Sequence, residues 1–299
     1  MKRVALIGLG TISKFYERGL KNSSPLKLVA TVDLSKDATA REAFSGYPFY
    51  TEYQKAYETQ KFDYALIATP PHTHFEIAKY FLEKGVSVIV EKPAVLNLQE
   101  YDFLASLAKE KGAYFTVMFH WQYANEIEGY LSLFQNEPIE EIKIKICDNY
   151  GVGGIIRDEK RGLNGAWLDS GVNALSVLAK LLPFVDAQIL SAESKACQES
   201  GLPLYCAVRL KMDGIPVEIV VDWREDTDQK DSWLKVEGKT VWVNHTQERV
   251  LFDGKTYDFA EMQRLESHYY NYFTRFKEGE TQKGRRIHEV LFAVNERLR

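Results

Sequence analysis

A lysine stopped at the end of an apolar strand is the residue of this sequence best placed for chemistry. Residues Ser87 to Pro93 read SVIVEKP. The β-branched run Val86, Val88, Ile89 and Val90 predicts a buried strand. Pro93 cannot donate to a sheet ladder and drives the residue before it out of helical dihedrals, so the strand ends with Glu91 and Lys92 at its carboxyl end. In open parallel α/β sheets, ligands sit outside the carboxyl ends of the strands. His72 and His74 have the residue types of metal ligands, but no third ligand lies near them, and the pair reads as positioning backbone and ligand instead. No metal is expected. Cys147, Cys197 and Cys206 show no metal spacing and leave one thiol over, which predicts reduced, buried cysteines of a cytoplasmic protein.

That lysine matters only if the chain builds the sheet around it. Lys2 to Ile7 is a short apolar strand, followed at once by Gly8-Leu9-Gly10-Thr11-Ile12-Ser13. This is the start of a G-x-G-x-x-G dinucleotide fingerprint with Ser13 in the third place. Gly8 permits the tight turn, Gly10 lets a pyrophosphate approach the backbone, and the third position needs a small residue for helix–strand packing. A helix from Ile12 to Lys21 then aims its first amides, including those of Thr11 and Ile12, at the phosphates. A second strand, Leu26 to Val32, ends in Asp33, 23 residues after Gly10. That is close to the spacing of about 20 residues expected for an acid bonding the ribose 2′-hydroxyl. Asp33 favours NAD by repelling a 2′-phosphate, whereas Ser35 and Lys36 could receive that phosphate and admit NADP.

Further units follow in alternation: a helix over Thr51 to Gln60, a strand over Phe62 to Ala68, and a helix over Phe75 to Lys84 opened by His74. Thr69-Pro70-Pro71 forces an extended turn between the last two. After SVIVEKP come a helix, Leu98 to Lys111, and a strand, Ala113 to Phe119, ending at His120 and Trp121. The β-α-β alternation predicts an α/β Rossmann domain over residues 1–121, with a doubly wound parallel sheet of about six strands. From 122 to 299 the pattern changes to a helix, Tyr123 to Phe134, and long alternating strands: Ile139 to Cys147, Gln188 to Ala196, Pro203 to Met212, Ile215 to Trp223, Ser232 to Val236 and Thr240 to Val243. Asp213-Gly214 and Glu237-Gly238 mark hairpin turns, which predicts an α+β domain on a mostly antiparallel open sheet. Leu265 to Lys277 and Arg285 to Leu298 read as helices that pack back on the first domain.

Composition narrows the function. The 299 residues are 45% hydrophobic and 27% charged, with a net charge of −4, which is the balance of a globular protein. No basic stripe supports nucleic-acid binding, and no apolar run reaches the ~18 residues that cross a bilayer. The N-terminal apolar run is short, contains glycines and lacks a small-residue cleavage site, so it reads as a first strand rather than a signal peptide.

The stretch ATPPHTHFEIAKYFLEKGVSVIVEKP resembles the hallmark segment of the glucose–fructose oxidoreductase / inositol dehydrogenase (Gfo/Idh/MocA) family, T-P-x-x-x-H, a helix, then G-x-x-V-x-x-E-K-P. The resemblance implies that Thr69, Pro70, His74 and Glu91 belong to the cofactor site and that Lys92 stands beside the nicotinamide and the reacting carbon. It also implies a second domain whose open sheet binds substrate and makes a homo-oligomer. Asp169 and Gly171 in GLNGAWLDSGVNALSVLAKLLP fit the family's D-x-G-x-H motif, with Asn173 in the histidine position. Without the resemblance, an N-cap role for Asp169 or Ser170 is equally well founded.

Asparagine hydrogen-bonds a hydroxyl but takes no proton from it at ordinary pH, so another base is needed or catalysis is lost. DSGVNALSVL is similar to the corresponding segment of the L-arabinose / D-galactose 1-dehydrogenase branch, which also carries asparagine there and oxidises the anomeric hydroxyl of an aldose to a lactone. The resemblance places Lys92, Asp169 and Asn173 around that hydroxyl and matches His120 to a histidine of that branch; His120, Arg157 and Asn164 are second-rank candidates for sugar contacts, with surface or structural roles equally well founded. It is weak over Tyr150 to Arg161, where the particular sugar would be read. Two alternatives stand beside this expectation: oxidation or reduction at a ring position of a cyclitol or keto-sugar, and a nucleotide-binding sensor without catalysis.

Overall fold

The computed structural model describes residues 1–21, 24–35, 41–135, 137–278 and 283–298. In order, its elements are β1 (Lys2–Ile7), α1 (Ser13–Lys21), β2 (Leu26–Val32), β3 (Phe49–Tyr50), α2 (Tyr53–Gln60), β4 (Tyr64–Ile67), α3 (His74–Glu83), β5 (Ser87–Glu91), α4 (Leu98–Lys111) and β6 (Phe115–Met118). There follow α5 (Asn125–Leu133), β7 (Ile139–Cys147), α6 (Val172–Leu181), β8 (Ala187–Ala196), β9 (Pro203–Met212), β10 (Ile215–Asp222), β11 (Lys230–Val236) and β12 (Lys239–Asn244). The last are β13 (Arg249–Phe252), β14 (Lys255–Asp258), α7 (Arg264–Thr274) and α8 (Gly284–Arg297). They form two compact units: Met1–His120 with Leu265–Gly284, and Trp121–Arg264 with Arg285–Arg299.

The first unit is built on a six-stranded parallel sheet in the order β3-β2-β1-β4-β5-β6, the doubly wound arrangement expected from the alternation of strands and helices. Its centre is apolar on both faces. Val4, Ala5 and Leu6 of β1, Ala65 to Ile67 of β4, and Val88 to Val90 of β5 are all fully buried, as a parallel sheet covered by helices requires. Phe49–Tyr50 adds a two-residue edge strand that carries too little pattern to be read from sequence.

Helix α7 belongs to this unit although it lies far along the chain. It can approach α1 because residue 19 is glycine: a Cβ there would stand 2.8 Å from the Phe273 ring and 3.0 Å from the Tyr269 carbonyl oxygen. Arg18 of α1 also pairs with Glu266 at 2.9 Å.

The second unit carries an eight-stranded sheet, β14-β13-β12-β11-β7-β10-β9-β8, antiparallel except where β7 runs parallel to β10. One face is buried and one is open, so its strands alternate. On β9, Leu204, Cys206, Val208, Leu210 and Met212 face inward while Arg209 and Lys211 are exposed. Asp213-Gly214 joins β9 to β10 and Glu237-Gly238 joins β11 to β12, each pair with positive φ at both residues, as tight hairpins need. Asp253-Gly254 does the same between β13 and β14, two strands beyond the six expected. Helix α8 is tied to this unit through the Leu291 carbonyl, which accepts from Trp167 Nε1 at 2.9 Å, and through Ser194 Oγ donating to the Leu298 carbonyl at 3.0 Å. The three cysteines are free and buried.

Gly19→Ala tests the α1–α7 approach. Alanine raises helix propensity by about 1 kcal/mol, but forcing a methyl group into packed neighbours costs about 1–3 kcal/mol. We expect a lowered urea midpoint; an unchanged or raised midpoint would show that the two helices are not packed so closely.

Candidate active site: a dinucleotide cradle and an Asp–Asn turn

The cradle of the first unit starts where β1 meets α1. Gly8 has φ +96°, and a Cβ on it would lie 2.5 Å from the Ala68 carbonyl oxygen, so only glycine fits the turn. A Cβ on Gly10, by contrast, would meet nothing within 4 Å; its side lies open for a ligand's approach. Ser13 is fully buried, and its hydroxyl donates to the Gly10 carbonyl at 2.7 Å, which explains how serine serves where a third glycine would stand. Thr11 is exposed and Ile12 half-buried at the start of α1.

Asp33, just past β2, is held from two sides: Leu9 N–H donates to Oδ2 at 2.8 Å and Ser35 N–H to Oδ1 at 2.9 Å. The carboxylate therefore hangs over the glycine turn with acceptor capacity left for a ribose hydroxyl. Lys36, the alternative phosphate receiver, lies outside the described residues.

The loops after β4 and β5 are tied together by His74. Its Nε2 lies 2.7 Å from the Thr69 carbonyl oxygen and its Nδ1 3.0 Å from that of Pro93, the residue after Lys92. The ring is buried, and burial pushes its pKa below the usual histidine range against the pull of the two carbonyls. A neutral imidazole has one N–H, so it donates to one of these oxygens. Thr73 Oγ1 donates to the Pro70 carbonyl oxygen at 2.8 Å and accepts from Thr69 Oγ1 at 2.7 Å, which pins the same loop. His72 is not part of the tie.

Glu91 ends β5 with its carboxylate turned into the unit's interior, where Lys92 N–H donates to Oε2 at 3.0 Å. Lys92 itself is half-buried at the carboxyl edge of the sheet. His120 is buried, with Nδ1 3.0 Å from His268 Nδ1 and its ring stacked on Tyr269 at 5.4 Å. Its imidazole is thus built into the interior of the first unit.

In the second unit, Asp169 and Asn173 are one turn apart, and both are half-buried. Asp169 lies in a wide π-type turn, Trp167–Gly171, that runs into α6. Gly171 packs flat on Trp167, since a Cβ there would come within 2.5 Å of the indole. Gly171 holds the N-cap position of α6 with no side-chain cap, so neither Asp169 nor Ser170 plays that role.

Ser170 has another task. Its hydroxyl donates to Asp148 Oδ2 at 2.6 Å and accepts from Trp223 Nε1 at 3.0 Å. Asp148 in turn pairs with Lys230 at 2.9 Å, and Lys230 also meets Asp228. The Lys230 and Asp148 side chains are only 5% and 8% exposed. Buried charges of this kind are tolerable when paired and bonded, and here they clamp the residue next to Asp169.

Tyr150 joins the same cluster. Its ring packs edge-on against Trp223 at 5.2 Å, and desolvation, then the charges of Asp148 and Asp169, push its phenol far up, so it is a hydrogen-bond donor. Arg157 and Asn164 are largely explained locally. Arg157 is exposed, donates to Asn149 Oδ1 at 2.7 Å and lies over the Tyr150 ring; Asn164 takes the left-handed conformation that ends a short helical turn.

Sequence reasoning missed the clamp of Ser170, Asp148 and Lys230 and the place of Tyr150 beside it, whose signal is their three-dimensional convergence. The Gly8 geometry yields a direct test: Gly8→Ala should weaken NADH binding, followed by fluorescence titration, by at least about tenfold, or ~1.4 kcal/mol. An unchanged Kd would remove Gly8 from the cradle.

Residues 2–119 match the model of the Gfo/Idh/MocA family, described as an oxidoreductase family with an NAD-binding Rossmann fold. Across 252 residues the chain is 27% identical to an Amycolatopsis mediterranei protein assigned as a UDP-kanosamine synthase oxidoreductase subunit, covering 81% of this chain and 69% of that one. It is 24% identical over 215 residues to the D-glucoside 3-dehydrogenase of Escherichia coli, covering 67% and 61%. The fold is shared with D-galactose-1-dehydrogenase from Rhizobium etli, with a TM-score of 0.83, 22% identity, and coverage of 99% and 95%. The glycine turn with its open side at Gly10, the acid hung over it and the E-K-P strand end are the features of a dinucleotide site, and they lie within the residues that match the NAD-binding Rossmann model of the Gfo/Idh/MocA oxidoreductases.

Proposed function

We propose that the chain is an NAD-dependent aldose 1-dehydrogenase that oxidises the anomeric hydroxyl of a sugar such as galactose or arabinose to the lactone. The observation that carries this reading is the Asp169–Asn173 pair. An acid and an amide stand one turn apart, both half-buried, on a turn fixed by the Ser170 clamp. The resemblance of DSGVNALSVL to the 1-dehydrogenase branch and the fold shared with the Rhizobium etli enzyme support the same choice.

NAD, when bound on the Gly8–Ser13 turn and Asp33, supplies the hydride acceptor. The chain's own residues do the rest. Asp169 takes the proton of the C1 hydroxyl as the C1–H bond gives up its hydride, so that C1 ends as the lactone carbonyl. Lys92 hydrogen-bonds the same oxygen and steadies its developing negative charge. Asn173 cannot act as a base and instead orients the hydroxyl. Tyr150, held as a donor, is a candidate for a further sugar hydroxyl.

A second reading keeps the fold and moves the reaction to a ring hydroxyl or keto position; the D-glucoside 3-dehydrogenase relative favours it. A non-catalytic sensor is disfavoured by the retention of both Lys92 and Asp169. We place the enzyme in the cytoplasm on its three free cysteines. No helix among the described residues is long and apolar enough to cross a membrane.

We further propose that the open face of the eight-stranded sheet joins copies of this chain. Trp233 pairs with Trp242 across β11 and β12, and a hollow of about 310 Å³ opens among Glu141, Lys143, Trp233, Lys235 and Thr240.

Two measurements test these readings. NADH formation across aldoses, glycosides and inositols should appear with aldoses that have a free anomeric hydroxyl, and Asp169→Asn should lower that rate by about 10²–10⁴-fold. Turnover only with blocked glycosides or inositols would select the second reading, and a loss below ~10-fold would remove Asp169 as the base. By light scattering, the wild type should exceed one chain's mass and Trp233→Glu should shift it downward; equal masses would refute the interface.

A further inference from the structure

Glu91 is the acid of the E-K-P segment, and its carboxylate accepts hydrogen bonds from three donors. Tyr16 Oη donates to Oε1 at 2.6 Å, Tyr269 Oη donates to the same oxygen at 2.6 Å, and Lys92 N–H donates to Oε2. Tyr16 comes from α1, the helix that follows the glycine turn. Tyr269 comes from α7, 178 residues downstream of Glu91. Both tyrosines are fully buried, and their rings meet edge-on at 4.7 Å. Tyr269 also stacks on Phe15 at 6.1 Å and on His120 at 5.4 Å, so α1, β5, α7 and the end of β6 converge on one carboxylate.

Two phenylalanines would fill the same space without needing polar partners. Choosing hydroxyls here, aimed at one buried oxygen, serves the charge. A buried carboxylate lacking donors protonates or destabilises the fold, whereas short bonds from two hydroxyls and a backbone N–H favour the ionised form. The residue that gains is its neighbour Lys92, whose backbone is fastened to Glu91 and whose charge interacts with it.

We propose that Tyr16 and Tyr269 are positioning residues for Lys92, acting through Glu91 to fix the strand end and to keep a negative charge next to the lysine. The inference rests on the reading of Lys92 as a working residue of hydride transfer. It gives α7 a part in the reaction that its position in the sequence conceals.

The groups facing Glu91 are Tyr16 from α1, Tyr269 from α7 and Lys92 from its own strand end, with Tyr272 of α7 acting on Tyr16. Burial pushes the Glu91 carboxyl above the usual carboxylate range, and the two hydroxyls, Lys92 and the Lys92 N–H oppose that push. Deleting one hydroxyl removes part of the opposition, so Glu91 would take its proton at a higher pH.

The test is Tyr269→Phe in the full chain, with Tyr16→Phe as a second variant. Expected are an NADH Kd within twofold of wild type, a kcat reduced on the order of tenfold, as for losing a bond to a charged group, and an acidic limb of the kcat profile moved to higher pH. In a Glu91→Gln background the same substitution should add less than twofold, because its effect runs through the carboxylate. A kcat within twofold and an unmoved limb in both variants, while Lys92→Met is inactive, overturns the inference and leaves the site reading intact. Full activity of Lys92→Met overturns the site reading and the inference with it. Unfolding of both tyrosine variants, judged by melting, would make the pair a fold-stabilising knot only and also overturns it.

Discussion

Gly8 stands so close to the Ala68 carbonyl that the first turn of the chain has no room for any side chain, and the first unit's chemistry depends on that contact. β1 and β4 are neighbours at the point where the strand order reverses, and Gly8 and Ala68 are the residues by which each leaves the sheet. With the turn pressed against β4, α1 must start beside it, and its first amides face the carboxyl edge. Leu9 N–H is then in reach of Asp33 at the end of the neighbouring β2. One steric constraint thus sets the glycine turn and the Asp33 carboxylate together. The close approach also explains why the second glycine of the motif differs in kind from the first. Gly10 has space around it rather than none, open to the approach of a ligand.

Both units fasten their candidate site residues with buried polar knots rather than with packing alone. A buried charge costs far more than a hydrogen bond returns unless every partner is in place, so such a knot tolerates one arrangement and rejects its neighbours. In the second unit Lys230, Asp148, Ser170 and Trp223 make that arrangement at the residue next to Asp169. Another chain in the same unit shows that residue types alone do not make a site. Ser232 Oγ lies 2.7 Å from His245 Nε2, and His245 Nδ1 lies 2.8 Å from Glu126 Oε1, the order of a hydrolytic triad. All three are fully buried, with the Trp121 ring 5.1 Å from the imidazole, so no substrate reaches the hydroxyl. It is a lock joining α5, β11 and the turn after β12.

Local pattern made the parallel sheet legible: β1, β2 and α4 have the bounds that periodicity, glycine and proline predict, β1 and α4 being closed by Gly8 and Gly112 and β2 opened after Pro25. Asp213-Gly214 and Glu237-Gly238 were readable for the same reason. Asp253-Gly254 carries the identical signal, but its strands β13 and β14 have four residues each and too short an alternation to stand out. The parallel pairing of β7 with β10 is a contact between strands some seventy residues apart and has no local signature. The candidate site divides likewise. Lys92 and Gly8 announce themselves by sequence; the N-cap alternative for Asp169 could be decided only once Gly171 was seen in the cap position. Tyr16, Tyr269, Asp148 and Lys230 are ordinary residues until folding brings them to a carboxylate or a hydroxyl.

The asparagine at 173 gives these knots their weight. With an amide that cannot titrate, the proposed proton transfer would rest on the Asp169 carboxylate and the Lys92 ammonium, whose direction depends on what surrounds them. Asp169 sits on a wide turn rather than a regular helix. Such turns swing a side chain out of the helical row and are found often at functional sites. A π-type turn leaves its backbone less firmly bonded than an α-helix, so an independent anchor is needed, and the buried Ser170–Asp148–Lys230 clamp supplies one from outside the turn. Lys92, on a strand end that hydrogen bonding to β6 reaches only as far as Glu91, has the corresponding need. Under the proposed reaction, an amide at 173 in place of a titrating residue would move the demand for precision from one side chain to the scaffolding of two.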